Sequence, residues 1–245
     1  MKKSLFLIPL AALLLLASCD DGTIEEKEAA YSTGKIVKVE GQVTGLNTWP
    51  AHYNVAIAGF TEQANNEPSP YATISKVLTT DAKGNVGIVL SAITGNVKDV
   101  ELCVLNSLRQ RVMTFASEDI SSATDDDTIR INFGTVDVSA LAAIQVGLFN
   151  VSCIGCHGSN GFSGGGLNLT EGHAYASLVN LPSTKVPEKN RVTPGDAANS
   201  VLYEVINDST FTETWRENHK DILNKDRTAE LIYLVREWIN SGAKN

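Results

Sequence analysis

Thr128-Ile129-Arg130-Ile131-Asn132-Phe133-Gly134-Thr135-Val136-Asp137-Val138-Ser139-Ala140-Leu141-Ala142-Ala143-Ile144 is where the 245-residue chain changes its hydrophobic period. Before it, Ile129, Ile131 and Phe133 alternate with polar residues, the repeat of a strand with one face in a core. After it, Leu141, Ile144, Leu148 and Val151 recur at three- and four-residue steps, the stripe of a helix, with Ser139 placed to cap its N-terminus.

Upstream, the two-residue period recurs. Val37, Val39 and Val43 share one parity, as do Tyr53, Val55 and Ile57, then Val86, Ile88 and Leu90, then Val100, Leu102 and Val104. Turn-rich pieces separate these runs: Asn65 to Pro68, Asp81 to Asn85, Thr94 to Asn96 and Asp125 to Asp127. About seven strands between residues 34 and 136 predict an antiparallel β-sandwich domain. Trp49, Tyr53 and Tyr71 could form a sugar-stacking platform or pack inside a hairpin, and packing is the expected role. His52 reads as a surface or packed histidine, and Asp125 to Asp127 as a solvated turn rather than a calcium site.

Downstream, the helix runs into Cys153-Ile154-Gly155-Cys156-His157. Two thiols at this spacing can add across both vinyl groups of one haem, and the adjacent histidine can supply an axial nitrogen, so the run reads as a c-type haem attachment signature. A thioredoxin-like dithiol would need a βαβ context, which the surrounding pattern lacks. A structural zinc site would need a second close ligand pair, and His173 and His219 are 46 residues apart. The glycine-rich stretch Gly158 to Gly166 has no Gly-Lys-Ser ending, so it is not a phosphate loop; its glycines would let backbone lie close to a flat ligand. Helices are expected after Thr170, after Asn199-Ser200, and from about Thr228 to Asn240, the last burying Leu231, Leu234, Val235 and Trp238.

Lys2-Lys3 and the apolar run Leu5 to Leu16 have the form of a signal peptide, too short to span a bilayer. Leu16-Ala17-Ser18-Cys19 resembles the lipobox of bacterial lipoproteins; the resemblance implies cleavage before Cys19 and acylation of its thiol, the alternative being an ordinary secretory signal cut near Ala17 or Ser18. No other segment reads as long and apolar enough to cross a membrane, which predicts a protein anchored to the bacterial cell envelope by lipid, the outer membrane being favoured. Residues 19–33, with Asp20, Asp21, Glu25, Glu26 and Glu28, read as an acidic tether, or alternatively as a surface-export tag. Loss of residues 1–18 leaves 18 basic against 28 acidic side chains, which argues against a nucleic-acid partner and is compatible with a basic redox partner. Of the four cysteines, Cys103 is left over and reads as a small buried hydrophobe.

Residues 138–245 also resemble a subgroup of small class I cytochrome c domains. The matching pieces are Gly165-Gly166-Leu167-Asn168-Leu169, Tyr175 to Asn180, Arg191-Val192-Thr193-Pro194-Gly195-Asp196, Ser200 to Tyr203, and Glu237-Trp238-Ile239-Asn240-Ser241-Gly242-Ala243. The resemblance implies an all-α haem domain over 137–245, one covalent haem c per chain held by Cys153, Cys156 and His157, and one-electron transfer. Thr79 to Val86 is similar to the turn and strand of prealbumin-like and carboxypeptidase-regulatory-like sandwiches, families that use the fold for support and adhesion.

The pattern breaks at the sixth iron ligand. Such domains supply a methionine about 18 residues before the final tryptophan, whereas this chain has only Met1 and Met113, neither in the haem region. His219 stands 19 residues before Trp238 and is the expected distal ligand, with His173 as a fallback and a five-coordinate or water-bound iron as the alternative. Arg191, and after it Lys185 or Lys189, are candidates to meet the haem propionates, a basic surface loop being the expected role of the two lysines. The sequence thus predicts a multidomain protein, with 1–18 a signal peptide, 19–33 a tether, 34–136 a sandwich and 137–245 a haem domain. Its expected role is an electron carrier. The alternatives are a haem enzyme or sensor with an open iron site, and a surface lipoprotein whose sandwich captures glycan or protein.

Overall fold

The computed structural model describes residues 33–65, 67–158, 164–207, 217–223 and 228–245. The leader, Cys19 and the tether up to residue 32 lie outside the described residues, as does the middle of the glycine-rich stretch.

Among the described residues, seven strands form two sheets. One has the order β4 (Asn85–Ile93), β1 (Lys35–Thr44), β7 (Thr128–Asp137). The other runs β3 (Ile74–Val77), β2 (Tyr53–Thr61), β5 (Val97–Asn106), β6 (Arg111–Asp119). The alternating apolar faces meet between the sheets: Val37, Val39 and Val43 from β1, Val86, Ile88 and Leu90 from β4, Val55 and Ile57 from β2, and Leu102 and Val104 from β5 are all buried in one cluster. The expectation of a purely antiparallel sandwich is corrected by β1, which pairs antiparallel with β4 but parallel with β7, Val37 opposite Ile129 and Val39 opposite Ile131. Where that register shifts, Gly41 passes so near Gly134 that an added Cβ would stand 2.9 Å from its carbonyl oxygen.

The second sheet is buried on both faces along β2 and β5. Ala56, Ala58, Phe60, Ala72, Cys103 and Leu105 form a second, smaller core. The chain between β2 and β3 lies over it, with the Ala72 amide on the Arg109 carbonyl and the Arg111 amide on the Pro70 carbonyl. Cys103 is fully buried there, and desolvation pushes its thiol pKa up. Beside it Arg111 pairs with Glu101, whose other oxygen accepts from the Thr114 hydroxyl at 2.6 Å. The Arg111 guanidinium also covers the Phe60 ring at 4.5 Å.

The remainder of the chain is not an all-α domain, which corrects the expected fold class. After β7 come α1 (Ala140–Ile144), a π-helical segment (Gln145–Cys153) and α2 (Ile154–His157), continuous with one another. Among the described residues the later helices are α3 (Ala174–Leu178), α4 (Val201–Asn207), α5 (His219–Ile222) and α6 (Thr228–Asn240), and of these α6 alone exceeds two turns. Between α3 and α4 the chain is held by isolated β-bridges, Val179 to Val192 and Pro182 to Asn190. Residues 33–245 form a single compact unit. The physical reason is a shared core: Leu141, Ile144, Leu148, Phe149, Leu234, Val235 and Trp238 belong to the same buried cluster as the inner faces of the sheets.

The two parts are joined without a linker. Val138 and Ser139 alone separate β7 from α1. The Trp49 indole donates to the Val138 carbonyl at 2.6 Å, the Thr48 hydroxyl accepts from the Ala140 amide at 2.9 Å, and Ser139 caps α1 through the Ala142 amide. Trp49, Tyr53 and Tyr233 of α6 then form a ladder with ring centres 5.7 and 6.4 Å apart. Trp49 and Tyr53 therefore pack within the protein, while Tyr71, exposed and bridged to Gln110, stands apart from them.

By length and composition alone, Ala140–His157 could cross a membrane, contrary to the expectation that nothing beyond the leader qualifies. Its inward face of Leu141, Ile144, Leu148 and Phe149 is nonetheless buried in the common core.

Two outcomes are expected from this architecture. Urea unfolding followed by tryptophan fluorescence and by far-ultraviolet circular dichroism will give coincident midpoints, because strands and helices share one core; two separated transitions would show independent domains. Glu101→Ala, which leaves Arg111 buried without its carboxylate, will lower the unfolding free energy by about 3–5 kcal/mol, read as a shift in urea midpoint at constant slope.

Candidate haem-attachment site

The π-helical segment sets where the two thiols face. An α-helix would return Leu141, Ile144, Leu148 and Val151 to one side, as the sequence periodicity suggests. A π-helix closes its bonds one residue later, so its inner face advances in longer steps. Ile144 and Gln145 are buried, then Leu148 and Phe149, and the next inward position is Cys153, which is partly buried, while Val151 is 62 % exposed. The expected place of Val151 on the buried face is thus corrected. Cys153 packs against the core with its sulfur 3.7 Å from the Leu148 carbonyl. Burial, with the neighbouring Cys156 second, pushes its pKa up to about 12, so the thiol stays protonated at neutral pH. Cys156, one turn on, is exposed, and the two are unpaired thiols.

His157 closes α2. Its Nδ1 lies 2.9 Å from the Gly164 carbonyl oxygen. A carbonyl can only accept, so Nδ1 carries the proton and Nε2 is left with a free lone pair. This is how proteins orient an imidazole for a metal and raise its basicity. The His157 carbonyl in turn accepts from the Leu169 amide at 2.7 Å. Gly164 lies close against the ring: a Cβ there would sit 3.3 Å from His157 Cε1, so the ring would have to give by a few tenths of an ångström.

His219 begins α5, whose N-cap Asn218 accepts from the Lys220 amide at 3.2 Å. Its ring centre lies 6.1 Å from that of His157, with only 16° between the planes. Two imidazoles that share one metal through a nitrogen each have ring centres about 6 Å apart: two metal–nitrogen bonds of about 2 Å, plus about 1 Å from each nitrogen to its ring centre. The observed 6.1 Å is of that order. Both rings have pKa values below the ordinary histidine value. Desolvation is the main cause for each; for His157 the Gly164 bond partly offsets it, and for His219 a backbone bond at Glu217 does so. Both are therefore neutral at pH 7, the form that ligates metal.

The other proposed site residues are placed differently. His173 is exposed at the start of α3, with Nδ1 turned to its own loop, 3.1 Å from the Glu171 carbonyl. Arg191 donates to backbone carbonyls, through Nη1 to Ser177 at 2.7 Å and Nη2 to Gly165 at 2.9 Å. Lys189 pairs with Glu204 at 3.0 Å. Asp127 is spent on its own turn, accepting from the Thr124 amide at 2.6 Å. His52 sits in an exposed turn. Among the described residues no three His, Cys, Asp or Glu side chains converge as a metal cluster, so the four residues Cys153, Cys156, His157 and His219 are not arranged as a tetrahedral zinc site.

Sequence reasoning missed Gln145. Its buried amide nitrogen donates to the Leu169 carbonyl at 2.8 Å and to Asn150 at 2.7 Å, tying the π-helical segment to the strand of chain that holds His157. A polar residue between the apolar Ile144 and Val146 was the available signal.

No protein-family model, no curated protein and no solved structure matches the chain.

The lowered histidine pKa values set a sign for pH dependence. The unfolded chain, with histidines near 6.5, takes up protons before the folded one does, so stability falls as pH drops below about 6.5. Urea midpoints of haem-free protein will decline between pH 7.5 and 5.5, and the His157→Gln/His219→Gln double variant will show a shallower decline. Equal slopes would remove these two histidines as the cause.

Proposed function

We propose that the protein is a lipid-anchored monohaem c-type cytochrome that carries single electrons in the bacterial cell envelope. The observation that carries this reading is the pair His157 and His219, near-parallel and 6.1 Å apart, directly beside two unpaired thiols at Cys-x-x-Cys spacing. The haem supplies the one-electron couple. Cys153 and Cys156 would hold it through thioethers, and their chemistry fits: both are free thiols, one against the core and one open to solvent.

The histidine pair gives the reading its direction. If His157 and His219 both held the iron it would have no open coordination site, which favours electron transfer over reaction with peroxide or gas. Replacing the usual methionine by histidine lowers the potential of such a centre. The Gly164 carbonyl on Nδ1 acts the same way, since it strengthens His157 as a donor. The acid excess suits a partner with a basic docking face. Cys19 would carry the lipid, with residues 20–33 as the tether, and the sandwich, packed on the helices without a linker, would set how far the haem stands from the bilayer.

The test is an ultraviolet–visible spectrum, oxidised and reduced, of wild type and His219→Ala, both co-expressed with haem-attachment machinery. Wild type will be low-spin and indifferent to carbon monoxide; the variant will become high-spin and bind it. A wild type that is already high-spin and binds carbon monoxide would move the reading to a haem enzyme or sensor.

A further inference from the structure

We propose that Arg191 is a positioning residue for His157, acting through the glycine backbone that holds its imidazole. The inference deepens the haem reading above and rests on it.

The expected task for Arg191 was to meet a propionate. Its guanidinium is instead committed to backbone. Nη1 donates to the Ser177 carbonyl at 2.7 Å; Nη2 donates to Gly165 at 2.9 Å and reaches Gly166 at 3.5 Å. Gly165 and Gly166 take φ of 66° and 64°, the left-handed region that glycine enters freely. That conformation turns their carbonyls towards the arginine. The Thr184 hydroxyl shares the Gly165 carbonyl at 3.2 Å. The peptide immediately before this pair carries the Gly164 carbonyl, which takes the His157 Nδ1 proton.

Arg191 is itself fixed. Its amide donates to the Leu181 carbonyl at 2.7 Å and its own carbonyl accepts from the Leu202 amide at 2.9 Å, beside the bridge between Val179 and Val192. One planar fork therefore ties α3, through Ser177, to the turn that orients the imidazole. An ammonium group cannot reproduce this, because it offers a point charge instead of two diverging donors in a plane.

Position and charge give opposite signs. If the fork holds the Gly164 carbonyl, losing it weakens the Nδ1 bond, makes His157 a poorer donor and raises the midpoint potential. If Arg191 acted only as a nearby cation, losing it would stabilise the oxidised iron and lower the potential. Lysine separates the two, since it keeps charge and loses the fork.

The experiment uses full-length protein co-expressed with haem-attachment machinery, as wild type, Arg191→Met and Arg191→Lys. Haem content is read by pyridine haemochrome and potential by redox titration. Both variants are expected to retain covalent haem and to shift to higher potential, lysine at least as far as methionine, because methionine also removes the charge. A downward shift in Arg191→Met with Arg191→Lys at the wild-type value would overturn the proposal in favour of charge, and unchanged potentials in both would overturn it outright. A second readout does not need haem: in haem-free protein, imidazole 15N shifts will show His157 held with its proton on Nδ1, and a mixture of tautomers in Arg191→Met. An unchanged tautomer would count against the clamp even if a variant failed to mature. Wild type without covalent haem would sink the haem reading itself, leaving the tautomer measurement to decide the clamp.

Discussion

At the end of β7 the chain turns from sheet to helix within Val138 and Ser139, and that joint has no slack. Trp49 holds the Val138 carbonyl and Thr48 holds the Ala140 amide, so the carbonyl just before α1 and one of the N–H groups that a helix start leaves open are both satisfied from the β1–β2 connection. The direction of the following helix is set there. Because that helix ends at His157, the position of the thiols and the imidazole follows from how the sandwich closes. The same joint lets Trp238 and Leu234 share a core with Val39 and Leu102, which short helices alone could not build.

How far the sequence foretold this depended on whether a feature is local. β1, β4 and β7 show themselves because apolar and polar residues alternate along them, and β2 and β5, though buried on both faces, because Tyr53, Val55 and Ile57 and then Val100, Leu102 and Val104 keep one parity. β3 is four residues of half-exposed edge, and β6 loses its alternation where Arg111 and Thr114 turn to Glu101. The parallel pairing of β1 with β7 left no trace, since periodicity reports which face is buried and says nothing of the neighbour. The all-α expectation failed for a related reason. Helical periodicity was present, but it could not reveal that the helices' apolar faces are covered by sheet as well as by one another.

At the site, Cys153, Cys156 and His157 were legible from spacing alone, and His219 only from its distance to Trp238. What spacing could not give is the hydrogen bonding. Gly164, Arg191 and Gln145 act through carbonyl groups, and any residue has a carbonyl; only the folded backbone shows which one is used. The π-helical segment was equally silent, because Gln145 to Cys153 carries the composition of an ordinary α-helix.

The mixed pairing of β1 has a consequence for the order of assembly. Its antiparallel partner β4 begins 50 residues after β1 does, but its parallel partner begins only at Thr128. A chain emerging from its N-terminus carries β1 with one row of amides and carbonyls unpaired until nearly all of the sandwich has been delivered. Such an edge invites pairing with other chains, and contacts this distant in sequence form slowly. The motif at 153–157 follows β7 by only 16 residues. Closure of the first sheet and exposure of the thiols to whatever modifies them therefore fall in the same short interval, so that a chain delayed in one is delayed in reach of the other.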